Sequence, residues 1–161
     1  MKKLIYTLLI IVALTNNSFS AGTSSNSSDN SSSYTKAYNL IKAAKNYEKK
    51  GKTDKAQKKY ANAQKLLLKS NKKKPLQADT LNYLGFTTRK LGDYEKGEEF
   101  YLQGLQIEPN HRGINEYLGE LYIVTNRMDL AKERLNVLKS CDCKEYKQLK
   151  EIIEGTKKSK Y

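Results

Sequence analysis

The sequence predicts an all-α fold, an α-solenoid of three helix pairs closed by a C-terminal capping helix. Three observations predict it. Tyr83-Leu84-Gly85 recurs as Tyr117-Leu118-Gly119 at a spacing of 34 residues. Gly92 with Asn126, and Pro75 with Pro109, keep the same spacing. The composition, with only 2 Pro in 161 residues and abundant Lys, Leu, Ala and Tyr, favours helix. A repeating unit of this length cannot bury its apolar face alone, so it stacks on its neighbours.

The first twenty residues read as a separate element. Lys2 and Lys3 precede an apolar run from Leu4 to Leu14. That run is too short to cross a bilayer, which takes about twenty residues, and it suits the core of a signal peptide. Small residues at Ser18 and Ser20 place cleavage before Ala21. A retained amphipathic anchor is the alternative. Neither cysteine lies near the cleavage site, which argues against lipid attachment. The expectation is an exported chain, in the bacterial periplasm, with no transmembrane segment in its mature part. Residues 21–34 are mostly Ser, Asn, Gly and Thr and have little to bury, so they read as a flexible leader.

The repeat domain is expected over 35–157. Its units are about 37–77, 78–111 and 112–141, and a cap helix lies at about 144–155. In the middle unit Leu81, Leu84 and Leu91 share one helical stripe. Gly92-Asp93 breaks that helix, Tyr94 to Ile107 forms the next, and Pro109 ends it. Gly85, Gly97 and Gly104 each cost about 1 kcal/mol inside a helix, so close packing must explain them. In the third unit Asn115, Leu118, Gly119, Tyr122, Ala131, Leu135 and Leu138 repeat the register, with Asn126-Arg127 at the turn. The first unit is looser, through Leu40, Ala44, Tyr47, Gly51, Ala56, Tyr60 and Ala63. In the cap, Tyr146, Leu149, Ile152 and Ile153 form one apolar stripe among charges.

In register, Leu81, Leu84, Gly85, Gly92, Tyr94, Gly97, Tyr101, Gly104 and Pro109 resemble the tetratricopeptide repeat. Thr88 departs from the family's Tyr. The stretch from His111 to Glu151 is similar to small exported tetratricopeptide proteins of alphaproteobacteria, through His111-Arg112-Gly113, Glu116 to Tyr122, the two cysteines and Glu145-Tyr146. The resemblance implies that the first helix of each pair lines a concave groove able to take a peptide or a helix. Carried over, the groove residues are Tyr38, Ile41, Lys45 and Lys49, then Asn82, Phe86, Arg89 and Lys90, then Glu116, Glu120 and Ile123.

Charge is placed unevenly. The net charge is +13, and residues 36–74 hold 14 Lys against Glu48 and Asp54, whereas residues 75–161 balance. Lys52, Lys55, Lys58, Lys59, Lys72, Lys73 and Lys74 form the basic patch. It reads either as a solvated helix surface or as a contact for anionic membrane or cell wall. Nucleic acid fits the charge but not export, and no stacking platform interleaves the lysines. Cys141 and Cys143, the only cysteines, suggest a disulfide in an oxidising compartment. Free thiols, redox activity and metal binding remain open for them. The relatives separate their cysteines more widely. His111, the only histidine, is placed to cap a helix. No nucleophile pattern, phosphate loop or metal cluster accompanies it, so neither catalysis nor a cofactor is expected. The expected function is a protein–protein interaction module or adaptor. The alternative is a basic structural protein that binds an anionic surface through its first helix pair.

Overall fold

A computed structural model of the chain describes residues 26–159. Among them are α1 (Asn26–Lys49), α2 (Thr53–Lys73), α3 (Ala78–Lys90), α4 (Tyr94–Ile107), α5 (Arg112–Val124), α6 (Met128–Leu138) and α7 (Lys144–Ile153). The described residues contain helix and turn but no strand. The signal-peptide assignment to 1–20 lies outside them. No helix among the described residues is long and apolar enough to cross a membrane.

Consecutive helices pair as α1 with α2, α3 with α4, and α5 with α6, and α7 packs on α5 and α6. The turns follow from local chemistry. Gly51 and Gly92 sit at positive φ between the helices of the first two pairs, and Asn126 takes that conformation in the third. Asn tolerates the left-handed region better than other residues with a side chain. Asp93 starts α4 by accepting the Lys96 N–H at 2.9 Å. His111 starts α5: its Nδ1 accepts the Ile114 N–H at 3.1 Å. Its Nε2 lies 3.1 Å from Asp79 Oδ1 on α3, so one ring caps its own helix and ties it to the pair before.

Two buried clusters form the core. Ala37, Ile41, Ala44, Ala56, Tyr60, Ala63, Leu67, Leu81, Leu84 and Phe86 join the first pair to the second. Tyr101, Ile114, Leu118, Leu121, Tyr122 and Ala131 join the second to the third. The helical glycines set these approaches. A Cβ on Gly85 would lie 2.6 Å from the Tyr101 ring of α4, and a Cβ on Gly97 would lie 3.1 Å from the Gly85 carbonyl oxygen. Gly104 serves a different contact. Its nearest neighbour is Ile114 of α5, at 2.4 Å from a Cβ placed there, so it makes room chiefly for the next pair. Gly119 admits Leu149 of α7, which seats the cap.

The leader needs a correction. Residues 26–34, expected to lack structure, belong to α1. Near the end of this stretch Ser33 is buried, and Tyr34 packs on the first core cluster with its ring 6.0 Å from Tyr83.

Candidate functional site

The first helices of the pairs, α1, α3 and α5, form the inner face. α3 contacts both α1 and α5 there. At its centre stands Phe86 of α3, with ring centroids of Tyr60 at 5.7 Å and Tyr117 at 5.1 Å. Lys45 of α1 reaches across it. Its Nζ lies 4.3 Å from the Phe86 centroid and donates to the Tyr117 hydroxyl at 3.1 Å. Arg89, 2% exposed, donates from Nη1 to the Tyr117 carbonyl at 2.7 Å. Its guanidinium lies within 6 Å of the Phe86, Tyr101 and Tyr117 rings, a cation set among π faces. Burial pushes the Tyr117 and Tyr101 hydroxyls well above the ordinary phenol range, and the nearby carboxylates of Glu116 and Glu120 push the same way.

Towards α1 the strip continues as an aromatic cluster. Tyr83 meets Tyr38 edge-on at 5.6 Å, and Lys42 lies over Tyr38 at 5.7 Å. Tyr38 is 39% exposed, which makes it the open edge of the strip. Towards α7 the strip turns acidic. Glu116 and Glu120 of α5 are buried, and Ser159 Oγ lies 3.5 Å from Glu120 Oε2.

The residues read from sequence as groove lining fall into three groups. Ile41, Asn82, Phe86, Arg89, Glu116 and Glu120 are buried, whereas a groove floor was expected to present them to a partner. The aromatic rings and the Lys45 span explain this, since they fill the centre of a short array. Tyr38 and Lys49 are exposed, and Lys45 and Ile123 are half-buried. Lys90 is half-buried: its Nζ pairs with Glu48 at 2.6 Å, beside the Tyr60 hydroxyl that donates to the same carboxylate at 2.8 Å. Asn82 Oδ1 is buried with no hydrogen-bond partner among the described residues.

The basic patch lies on α2 and its flanks. Lys52, Lys55, Lys58, Lys72, Lys73 and Lys74 are exposed and Lys59 is half-buried. Cys141 and Cys143 form a disulfide between α6 and α7, with Cα atoms 5.1 Å apart. A cavity of about 630 Å³ opens beside Cys141, lined by Glu108, His111, Arg112 and Val137 among others. No group of three metal-ligating side chains occurs among the described residues.

Solved structures resemble this arrangement over most of the chain. A chain of the CopN–Scc3 complex aligns with a TM-score of 0.57 and 19% identity, covering 82% of this chain and 71% of that one. The first tetratricopeptide domain of Spaghetti (RPAP3), bound to the HSP90 peptide SRMEEVD, aligns with a TM-score of 0.50 and 17% identity, covering 76% and 94%. The fold is tetratricopeptide-like. MamA aligns less closely, with a TM-score of 0.42 and 17% identity over 74% of this chain and 80% of that one. No protein-family model and no curated protein matches the sequence.

In the tetratricopeptide frame, Tyr83 and Tyr117 hold the same repeat position, just before Leu-Gly. The sequence reading used them as repeat markers only. The structure puts both on the inner face, Tyr83 against Tyr38 and Tyr117 between Phe86 and Lys45. Their recurrence at 34 residues was the available signal. Tyr60 was likewise read as packing, yet its hydroxyl holds Glu48, the partner of Lys90.

Proposed function

We propose that this chain is an exported protein-interaction module whose inner face takes a peptide or helix from a protein partner. The observation that supports this most is the strip that crosses α1, α3 and α5: packed aromatic rings and buried charge, with Tyr38 left 39% exposed at the edge. Such a platform is rigid before binding, so a partner loses little to ordering of the site. Aromatic rings supply large contact area at low conformational cost. No metal or cofactor enters this reading, and it assigns no catalysis.

The test is photo-crosslinking in cells, with benzoylphenylalanine in place of Tyr38 and a control probe at Lys58. One discrete protein trapped from position 38 supports the module and names its partner. If position 38 traps nothing, the inner face is not the binding surface.

A second reading rests on the exposed lysines of α2. The first pair would hold the chain against anionic membrane or wall polymer, with affinity that falls steeply as salt rises. In that case position 58 traps lipid or polymer, and vesicles with anionic headgroups bind at low salt only.

A further inference from the structure

The disulfide between α6 and α7 adds little as a staple. Its cysteines are separated by 2 in sequence, so the loop it closes is very short and the bond restrains little of the unfolded chain. α7 is held by other contacts. Leu149 is fully buried and fills the space that Gly119 leaves on α5, and Ile152 is buried as well. The fold is therefore expected to persist with the pair oxidised or reduced.

The two sulfurs have different surroundings. Cys141 is partly exposed and lines the cavity of about 630 Å³. That volume falls within the range of ligand sites, about 300–1,000 Å³. Asn110, Arg112 and Ser140 bring polar groups to its wall, and Val137 and Leu138 bring apolar ones. Cys143 is 6% exposed and is not part of that wall. An incoming group therefore reaches Cys141 first.

Cys143 is the N-cap residue of α7, in extended backbone, and its side chain makes no capping bond within the disulfide. A side chain at that place can accept from the N–H of Glu145 or Tyr146, and the positive end of a ten-residue helix favours negative charge on it. Lys144 and Glu145 offset each other in charge, and Asp142 is paired with Lys147 at 3.1 Å. The helix end therefore decides, and Cys143 is the better thiolate of the two. Cys141 Sγ lies 3.0 Å from the Leu138 carbonyl oxygen, an acceptor that holds a thiol proton and opposes the thiolate. His111 also lines the cavity, but its Nδ1 accepts the Ile114 N–H and its Nε2 meets Asp79. It is therefore not a base for an incoming thiol.

We infer that Cys141–Cys143 is a thiol–disulfide exchange site that oxidises a pair of cysteines on a polypeptide substrate. A substrate thiolate attacks Cys141 Sγ from the cavity. A bond forms between those sulfurs, the Cys141–Cys143 bond breaks, and the electron pair leaves on Cys143 Sγ at the start of α7. The second substrate thiolate attacks the substrate sulfur of this mixed disulfide, and Cys141 leaves and takes a proton. The substrate loses two electrons and gains a disulfide, and the chain is left with two reduced cysteines. The activity is independent of partner binding at the inner face.

The test mixes the oxidised full chain with a reduced synthetic peptide that carries two cysteines. Samples are quenched in acid, alkylated and read by mass spectrometry. One peptide disulfide is expected for each chain reduced, several-fold faster than with oxidised glutathione in place of the chain. A peptide that stays reduced, or is oxidised no faster than by oxidised glutathione, overturns the activity and leaves the bond purely structural. Early samples should carry the mixed disulfide on Cys141; finding it on Cys143 overturns the assignment of the attacked sulfur. If reduced glutathione opens the bond as fast as the peptide does at equal thiol concentration, the cavity selects no polypeptide and the substrate class is wrong. Thiolate absorbance at 240 nm against pH then compares Cys141→Ser with Cys143→Ser, both checked for helix by circular dichroism. Cys143 should titrate below the ordinary value of about 8.5, and a value at or above it overturns the leaving-group role.

Discussion

Gly85 is the residue whose replacement separates two forces most cleanly. Alanine in a helix interior is about 1 kcal/mol better than glycine, so propensity alone makes Gly85→Ala stabilising. The structure says otherwise. The new methyl would lie 2.6, 2.7 and 2.8 Å from Cε1, Cδ1 and Cζ of Tyr101. Normal carbon contacts are about 3.5–4.0 Å, so α3 and α4 must part by about 1 Å. The Tyr101 ring is fully buried and cannot swing away. Gly97 adds a second constraint, since a Cβ placed on it would lie 3.1 Å from the Gly85 carbonyl oxygen, so the helices are already close there. Overpacking of a tight core costs about 1–3 kcal/mol, and three atoms in overlap place this case in the upper half. After the propensity gain, Gly85→Ala should lower stability by about 1–2 kcal/mol. Urea unfolding followed by circular dichroism measures it. The same substitution made in Tyr101→Leu should cost less, because the ring is gone, with a coupling of about 1 kcal/mol or more across the double-mutant cycle. A Gly85→Ala chain more stable than the parent would refute the reasoning.

Gly119→Ala meets the Leu149 methyls at 2.6 and 2.9 Å, which can shift, so it should cost less than Gly85→Ala, whereas Leu149→Ala should cost about 2–5 kcal/mol and loosen α7; hydrogen exchange in α7 checks both. Arg127 holds Glu98 with two bonds of 2.9 and 2.6 Å and lies 4.6 Å over Tyr122, so Arg127→Lys, which loses the fork, should cost about 1 kcal/mol in thermal unfolding. The Cys141–Cys143 bond spans a sequence separation of 2, so reduction should lower stability by less than about 2 kcal/mol and leave the helical circular dichroism intact. Burial, with Tyr38 and Asp79 nearby, pushes Tyr83 up to about 12, and Tyr34, Tyr60, Tyr101 and Tyr117 are raised as well. The folded chain keeps those protons longer than the unfolded chain, whose tyrosines titrate near 10. Stability is therefore full below about pH 10 and falls as pH rises towards 12, with phenolate absorbance appearing in step with unfolding. A single phenolate step near 10 with the helices intact would count against the burial described.

The sequence by itself determined the repeat. Its period was readable because a stacked helix pair puts the same demand on the same position each time. Gly85 and Gly119 must both be small, and Gly92 and Asn126 must both accept a positive φ. Such demands are local or nearest-neighbour, so they leave a mark every 34 residues. The capping role of His111 was legible for the same reason, since it acts within one turn of its own helix. What only the tertiary structure decided depends on contacts between distant parts of the chain. Lys45 and Tyr117 are 72 residues apart in their hydrogen bond, and no spacing rule links them. Whether Phe86 floors an open groove or fills a closed centre, at 3% exposure, depends on how far α1 and α5 lean together. The pairing of Lys90 with Glu48 and the approach of Ser159 to Glu120 depend on the same three-dimensional closure. Periodicity fixes which face of a helix is apolar, but the curvature of a short stack is a sum of small interhelical angles that no single position encodes.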